Sequence, residues 1–337
     1  MTLPASGAIS LNEMHIEARG TTETQASIND SDIRDLIGKS SAAQMSFNEW
    51  YGATKNIDLP IPDSSTDING QSQYQGITVS DYINSGEQLT IPSSLWIWSD
   101  STSTAALIID IPCIIVNNGK ILGKGGAGGT GNANGSAGGP AININSGVTG
   151  VTITNASGAY IAGGGGGGAG IGGAGGGGGS GGGVGGNSNT YEAGGTGGIL
   201  NASGANGSGW FNNATSPQHC WGGEAGGAGG YSDETSGGSA YGCGAGGGGR
   251  IFPGTQTPDA TIGRSGLLTV GKGGGGGQAG TDGNTQGNGA RGAGGGGWGA
   301  AGGDTYGTTG GAAGKAIEDN GQSYTLSNSG TVYGATT

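Results

Sequence analysis

The chain has 337 residues, of which 88 are glycine, three are cysteine and nine are proline, with a formal net charge of −12. Residues 1–119 carry 14 acidic against 4 basic side chains and the rest carry 9 against 7, so no basic stripe exists to hold a nucleic-acid backbone. No run approaches 18 apolar residues, which argues against membrane insertion, and three cysteines cannot form a disulfide framework.

Residues 1–56 read as a small compact module. It opens on the strand-like AISLNEMHIEA and continues into a short helix. That helix takes Asn29 or Ser31 as N-cap, Asp32 in its first turn, Ile33, Leu36 and Ile37 as its apolar face, and Gly38 at its end. Met45, Phe47, Trp50 and Tyr51 are placed to cover it. A unit this small holds little core, which predicts docking on a partner. The first residues lack the basic and apolar regions of a secretory signal, so synthesis and assembly in a cytoplasm are expected.

Residues 57–72, polar and containing Pro60 and Pro62, read as a linker. Residues 73–155 are β-rich: EQLTIP, SLWIW, AALIIDIP, CIIVNN, GKILG, AININ and GVTITN are short runs of β-formers. Their spacing fits a small sandwich or a stack of β-helix rungs. Cys113 lies in the apolar run IPCIIV and reads as core, while Trp96 and Trp98 divide between core and subunit contact.

Only eight glycines precede Lys120; the other 80 fall in the last 218 residues. Such a composition usually marks disorder or collagen, yet a phrase recurs: NNGKILGKGG at 117–126, NASGAYIAGG at 155–164, GRSGLLTVGKG at 263–273 and SNSGTVYGAT at 327–336. Each places a small polar residue and a glycine before a short apolar strand. Aromatic residues are spread between the glycine tracts, unlike a flexible linker, and no Gly-X-Y register is kept, unlike collagen. The expected fold is therefore mainly β with extended polyglycine II helices. In it, residues 156–337 form a glycine-rich helix lattice in which the backbones supply one another's hydrogen bonds. Trp298 and Tyr306, inside glycine phrases, are expected to pack.

Catalytic chemistry is scarce. Only His15 and His219 are present, with no Ser/His/Asp or Cys/His pattern in a structured context. Asp233 and Glu234 read as a solvated turn, and the spacing of His219, Cys220 and Cys243 matches no standard metal site. No enzyme activity, metal or cofactor is expected, and pairing of Cys220 with Cys243 is left open. Six Asn-x-Ser/Thr sequons, Asn155 among them, carry little weight without a signal sequence.

The phrases LPASGAISLNEMHIEARG, DSDIRDLIG and AQMSFNEWYG look like an N-terminal module of structural tail proteins of tailed bacteriophages. IIVNNGKILGKGGAGG, GGGGWGAAGG and GAAGKAI resemble phage tail-fibre and tail-tip adhesins that end in a polyglycine-rich, receptor-binding domain. The resemblance implies loops that leave the glycine tracts at one end and contact a protein or glycan receptor on the host surface. The corresponding stretches here are 187–192, 199–221, 231–235, 251–270 and 278–289. The aromatic candidates for that contact are Tyr191, Trp210, Phe211, Trp221, Tyr231, Tyr241 and Phe252. The resemblance also implies a virion protein that docks on other tail or fibre proteins through its N-terminal region, whose sequence departs from the attachment domain of the T-even adhesins. A homo-oligomer is left open. The alternatives are a purely structural tail component and an ice-binding polyglycine bundle.

Overall fold

The computed structural model describes residues 3–22, 24–40, 43–62, 72–130, 133–170, 177, 273–280, 282 and 292–337, together with the backbone of 219–221 and 231–233. Helix α1 (Leu11–Glu17) replaces the strand expected at the start of the chain. Its origin is a capping box: the Glu13 amide donates to Ser10 Oγ (3.1 Å) and the Ser10 amide to Glu13 Oε2 (2.6 Å). Met14 and Ala18, four residues apart, then face inward. Helix α2 (Ser31–Asp35) forms within the expected stretch, but Asp30, not Asn29 or Ser31, takes the N-cap position, and the helix ends before Leu36 and Ile37, with Gly38 in a left-handed conformation (φ 64°) beyond it. Leu3, Met14, Ala18, Ile33, Leu36 and Trp50 make the module's core. Met45 packs against it, whereas Phe47 and Tyr51 are exposed.

The module leads into a β-helix. β1 (Asn56–Asp58) precedes a rung formed by β2 (Ser72–Gln75), β3 (Ile77–Thr78) and β4 (Gln88–Ile91). The next rung is β5 (Leu95–Trp98), β6 (Leu107–Ile109) and β7 (Ile114–Asn117), followed by β8 (Lys120–Leu122), β9 (Ile142–Ile144) and β10 (Val151–Asn155). After β11 (Tyr160–Ala162) the chain leaves the stack. It includes a two-stranded antiparallel ribbon of β12 (His219–Trp221) and β13 (Tyr231–Asp233), and returns as β14 (Ile317–Glu318), β15 (Tyr324–Asn328) and β16 (Thr331–Tyr333).

Three all-parallel sheets result, in the orders β1-β4-β7-β10-β15, β2-β5-β8-β11-β16 and β3-β6-β9-β14. Of the two arrangements the spacing allows, the rung stack is the one observed. Register aligns like with like. Leu89, Ile115, Ile153 and Leu326 form one interior column; Ile97, Ile121, Ile161 and Val332 form another; Leu107, Ile142 and Ile317 form a third. Burying each aliphatic side chain contributes about 1.5–3 kcal/mol, and most of these are fully buried. Cys113 lies in the same core, and burial, with Asp110 nearby, pushes its thiol up to about 12.

Three of the four recurring phrases prove to be one corner of successive rungs. The last residues of β7, β10 and β15 are Asn117, Asn155 and Asn328. Asn117 Nδ2 donates to Asn155 Oδ1, and Asn155 Nδ2 to Asn328 Oδ1, both at 2.8 Å. These side chains also hold the corner backbone: Asn117 Oδ1 accepts from the Gly119 amide, and its Nδ2 donates to the Tyr160 carbonyl. Asn155, a sequon residue, is thus wholly buried. The fourth phrase, at 263–273, falls almost wholly outside the described residues.

The expected lattice of extended polyglycine II helices is corrected. Three parallel sheets carry the fold, and among the described residues helix of any kind ends at Asp81. The reason lies in what each part can bury: the aliphatic columns supply a driving force that glycine, without a side chain, lacks. Nor do the glycine tracts form a layer that succeeds the β region. They are insertions between its strands, one joining β8 to β9 and the other joining β11 to β14.

The N-terminal module closes over the first rung through a charged junction. Arg19, itself at φ 68°, donates to Glu87 Oε1 (3.1 Å) and Oε2 (2.5 Å) and to the Tyr82 carbonyl. Glu17 Oε1 accepts from the Lys55 amide (2.8 Å) and from Thr54 Oγ1, and Thr54 also donates to the Gly86 carbonyl. Both carboxylates are buried. Burial opposes ionisation of Glu87, but the Arg19 guanidinium and the Asn84 amide outweigh it and hold the carboxyl below its ordinary range.

Candidate functional site

The described glycine segments pack backbone against backbone. Segment 163–170 is central. Amides of Gly123, Gly126 and Gly129 donate to carbonyls of Ala162, Gly165 and Gly168, each at 2.8 Å, and Gly164, Gly167 and Gly170 donate to Gly139, Ser136 and Ala133. Gly166 and Ala169 donate to Ala300 and Gly303, while Ala293, Gly296 and Gly299, and then Gly311 and Gly314, donate back to it. Such contact requires glycine: a Cβ on Gly164 would fall on the Lys124 carbonyl, and one on Gly311 on that of Ser136.

One end of this bundle is fixed to the β-helix by aromatic side chains. Trp96, Trp98, Leu122 and Ala162 form a buried cluster with Trp298. Trp298 meets Trp96 and Tyr160 edge to face at 6.4 and 6.2 Å, and Lys120 Nζ lies 4.6 Å from the centre of the Trp96 ring. Trp298 therefore packs as the sequence suggests, and Trp96 and Trp98 face the bundle. Burial lowers the Lys124 amine, which stands where the first insertion leaves β8.

The other end carries the connections. Gly170 donates to the Ala133 carbonyl, Ala293 to Ala169, and the Asp304 amide to Asp282 Oδ1 (2.9 Å). Ala133, Gly170 and Asp282, which flank undescribed stretches of chain, thus gather beside one turn, residues 304–310. In that turn Thr305 and Thr308 pair through their backbones and through Oγ1 atoms 2.6 Å apart. Thr308 Oγ1 donates to the Gly170 carbonyl (3.0 Å), the Thr309 amide to Asn134 Oδ1 (2.9 Å) and the Gly310 amide to Asp304 Oδ1 (2.7 Å). At its apex Tyr306 is 59% exposed, contrary to the packing expected of it. An aromatic in a glycine phrase packs or protrudes according to the neighbouring segments, which the sequence does not list.

Of the predicted contact residues, Trp221 and Tyr231 stand directly opposite one another in the ribbon of β12 and β13. Tyr191, Trp210, Phe211, Tyr241 and Phe252 lie outside the described residues, as does Cys243. Among the described residues no three His, Cys, Asp or Glu side chains gather in a metal-binding group. Among the described residues, what the far end offers is a surface of exposed polar groups and one ring, an arrangement suited to contact.

Comparison with known proteins places this geometry. The model of the phage tail fibre adhesin Gp38 family matches residues 56–232, more than half of the chain. The chain belongs to the Gp38 family of phage tail fibre adhesins. No curated protein matches it. Among solved structures, the gp37-gp38 adhesin tip complex of the bacteriophage S16 long tail fiber is similar at 16% identity and a TM-score of 0.39, over 98% of this chain and 99% of that one. As a tail fibre adhesin the protein is a component of the virion tail. The family match covers the β-helix from β1 to β11 and ends within the ribbon, so it takes in the platform and the first part of the larger insertion.

Proposed function

We propose that the adhesin recognises a receptor on the host-cell surface through the far end of its glycine bundle and the chain connections that begin there, and that it acts by binding, without catalysis or cofactor. The observation that supports this reading is the gathering of those connections at the end opposite the aromatic anchor. A backbone-packed bundle suits the task, because surface connections can vary without altering what holds them, and an ordered support reduces the entropy lost on binding. The N-terminal module docks on another protein of the tail fibre, for which its exposed Leu11, Phe47 and Tyr51 offer apolar contact. Assembly with that partner takes place in the host cytoplasm.

The test is saturable binding of purified, fluorescently labelled adhesin to intact cells of a strain infected by a phage that carries it, with competition against phage adsorption. Binding that blocks adsorption is expected. Folded protein that neither binds nor competes would leave a structural tail component as the function.

A further inference from the structure

The described residues expose five large apolar side chains, and four of them, Leu11, Phe47, Tyr51 and Ile61, fall within the first 61 residues. The fifth is Tyr306, at the far end of the bundle. We infer that Tyr306 is a fixed anchor for the host receptor, a contact supplied by the 304–310 turn of the glycine bundle and distinct from the aromatic residues of the longer connections. This rests on the receptor-binding reading above. A ring left largely in water adds little to the fold, so packing does not explain it. Its mounting is nonetheless rigid: the turn is tied to Gly170 through Thr308, to Asn134 through Thr309 and to Asp282 through Asp304, and is closed on itself by the Thr305–Thr308 pair. Tyrosine carries large amphipathic area on only two rotatable bonds, and holding its backbone in advance lowers the ordering cost further. The complement it fits is a ring-sized apolar recess with a polar rim, since the neighbouring Asp304, Gly307 and Thr309 are exposed.

The experiment measures binding of labelled adhesin to the same intact cells for the wild type, Tyr306→Ala and Tyr306→Phe, with thermal melting of each. Central aromatic anchors typically lose about tenfold or more in affinity on truncation. Tyr306→Ala is expected to bind at least about tenfold more weakly with unchanged melting, and Tyr306→Phe to keep most of the affinity because it keeps the ring. Wild-type binding with Tyr306→Ala within about twofold of it overturns the anchor alone. Absence of wild-type binding overturns the receptor reading, and the anchor with it.

Discussion

The β-helix and the glycine bundle solve one problem, the pairing of buried backbone groups, by opposite means. In the β-helix each strand pairs in register with the rungs above and below, and aliphatic columns fill the interior. In the bundle, segment 163–170 pairs with several neighbours at once and has almost nothing to bury. Its main side-chain anchor is Trp298, at one end. Glycine also loses the most backbone entropy on ordering. The difference teaches that the bundle depends on the β-helix, which fixes the points where Gly123, Gly163 and Lys315 join strands. The β-helix does not need the bundle in the same way.

The largest effect should come from breaking the β-helix. Ile153→Ala removes a fully buried member of an interior column and is expected to cost about 3–4 kcal/mol. Denaturant unfolding should show the bundle lost together with the β-helix. Retention of the buried Trp298 environment after the β-strand signal has gone would refute the dependence. Next comes the converse cut: Gly164→Ala drives a methyl group onto the Lys124 carbonyl, at about 2–3 kcal/mol. The damage should stay in the bundle, exposing Trp298 by fluorescence while the sheets keep their circular dichroism. Gly321→Ala, in open space at φ 76°, should cost only about 1 kcal/mol, through backbone strain alone.

This contrast also separates what could be read from the sequence from what could not. The phrases at 117–126, 155–164 and 327–336 are legible as repeats because each rung needs the same corner, an asparagine and a tight turn before an apolar strand. That Asn155 and Asn328 should touch is not legible, since 173 positions separate them and only the return of the chain after the insertion joins them. The recurring phrases and the aromatics spread between the glycine tracts point to order, but they do not weigh the few isoleucines whose burial decides the fold. Helix α1 is not legible because the apolar letters of AISLNEMHIEA alternate at its start, while the Ser10–Glu13 box that overrides them is a pair of polar residues. At the candidate site, a signal for Tyr306 was available: it stands in the polar, turn-forming run DTYGTT, whereas Trp298 is flanked by glycine and alanine.

An effect between those of Gly164→Ala and Gly321→Ala tests the corner itself. Asn155→Ala leaves the amide of Asn117 and the carbonyl oxygen of Asn328 without their partner, an expected loss of about 2 kcal/mol. Asn328→Ala, at the exposed end of the ladder, should cost less than half as much by thermal melting. Equal costs would mean that the ladder acts as one unit and not as separate bonds.

An effect as small as that of Gly321→Ala lies at the junction of the N-terminal module, where charge does what neither aliphatic columns nor glycine backbones do. Glu87 in the folded protein ionises below its ordinary range because Arg19 and the Asn84 amide stabilise the carboxylate against the cost of burial. A depressed carboxylate contributes stability that is fully present above the unfolded value, about 4.3, and is lost as pH falls through the lower folded value. Acidification below about pH 4.3 should therefore loosen the module from the first rung before the β-helix, whose described interior is aliphatic, responds. Arg19 is partly exposed, so the ion pair is screened and Glu87→Gln should cost only about 1 kcal/mol near neutral pH. The informative measurement is hydrogen exchange of residues 11–35 against pH: the wild type should lose protection on acidification, and Glu87→Gln should start lower and respond less. A variant with the wild-type acid response would overturn the assignment of that response to Glu87.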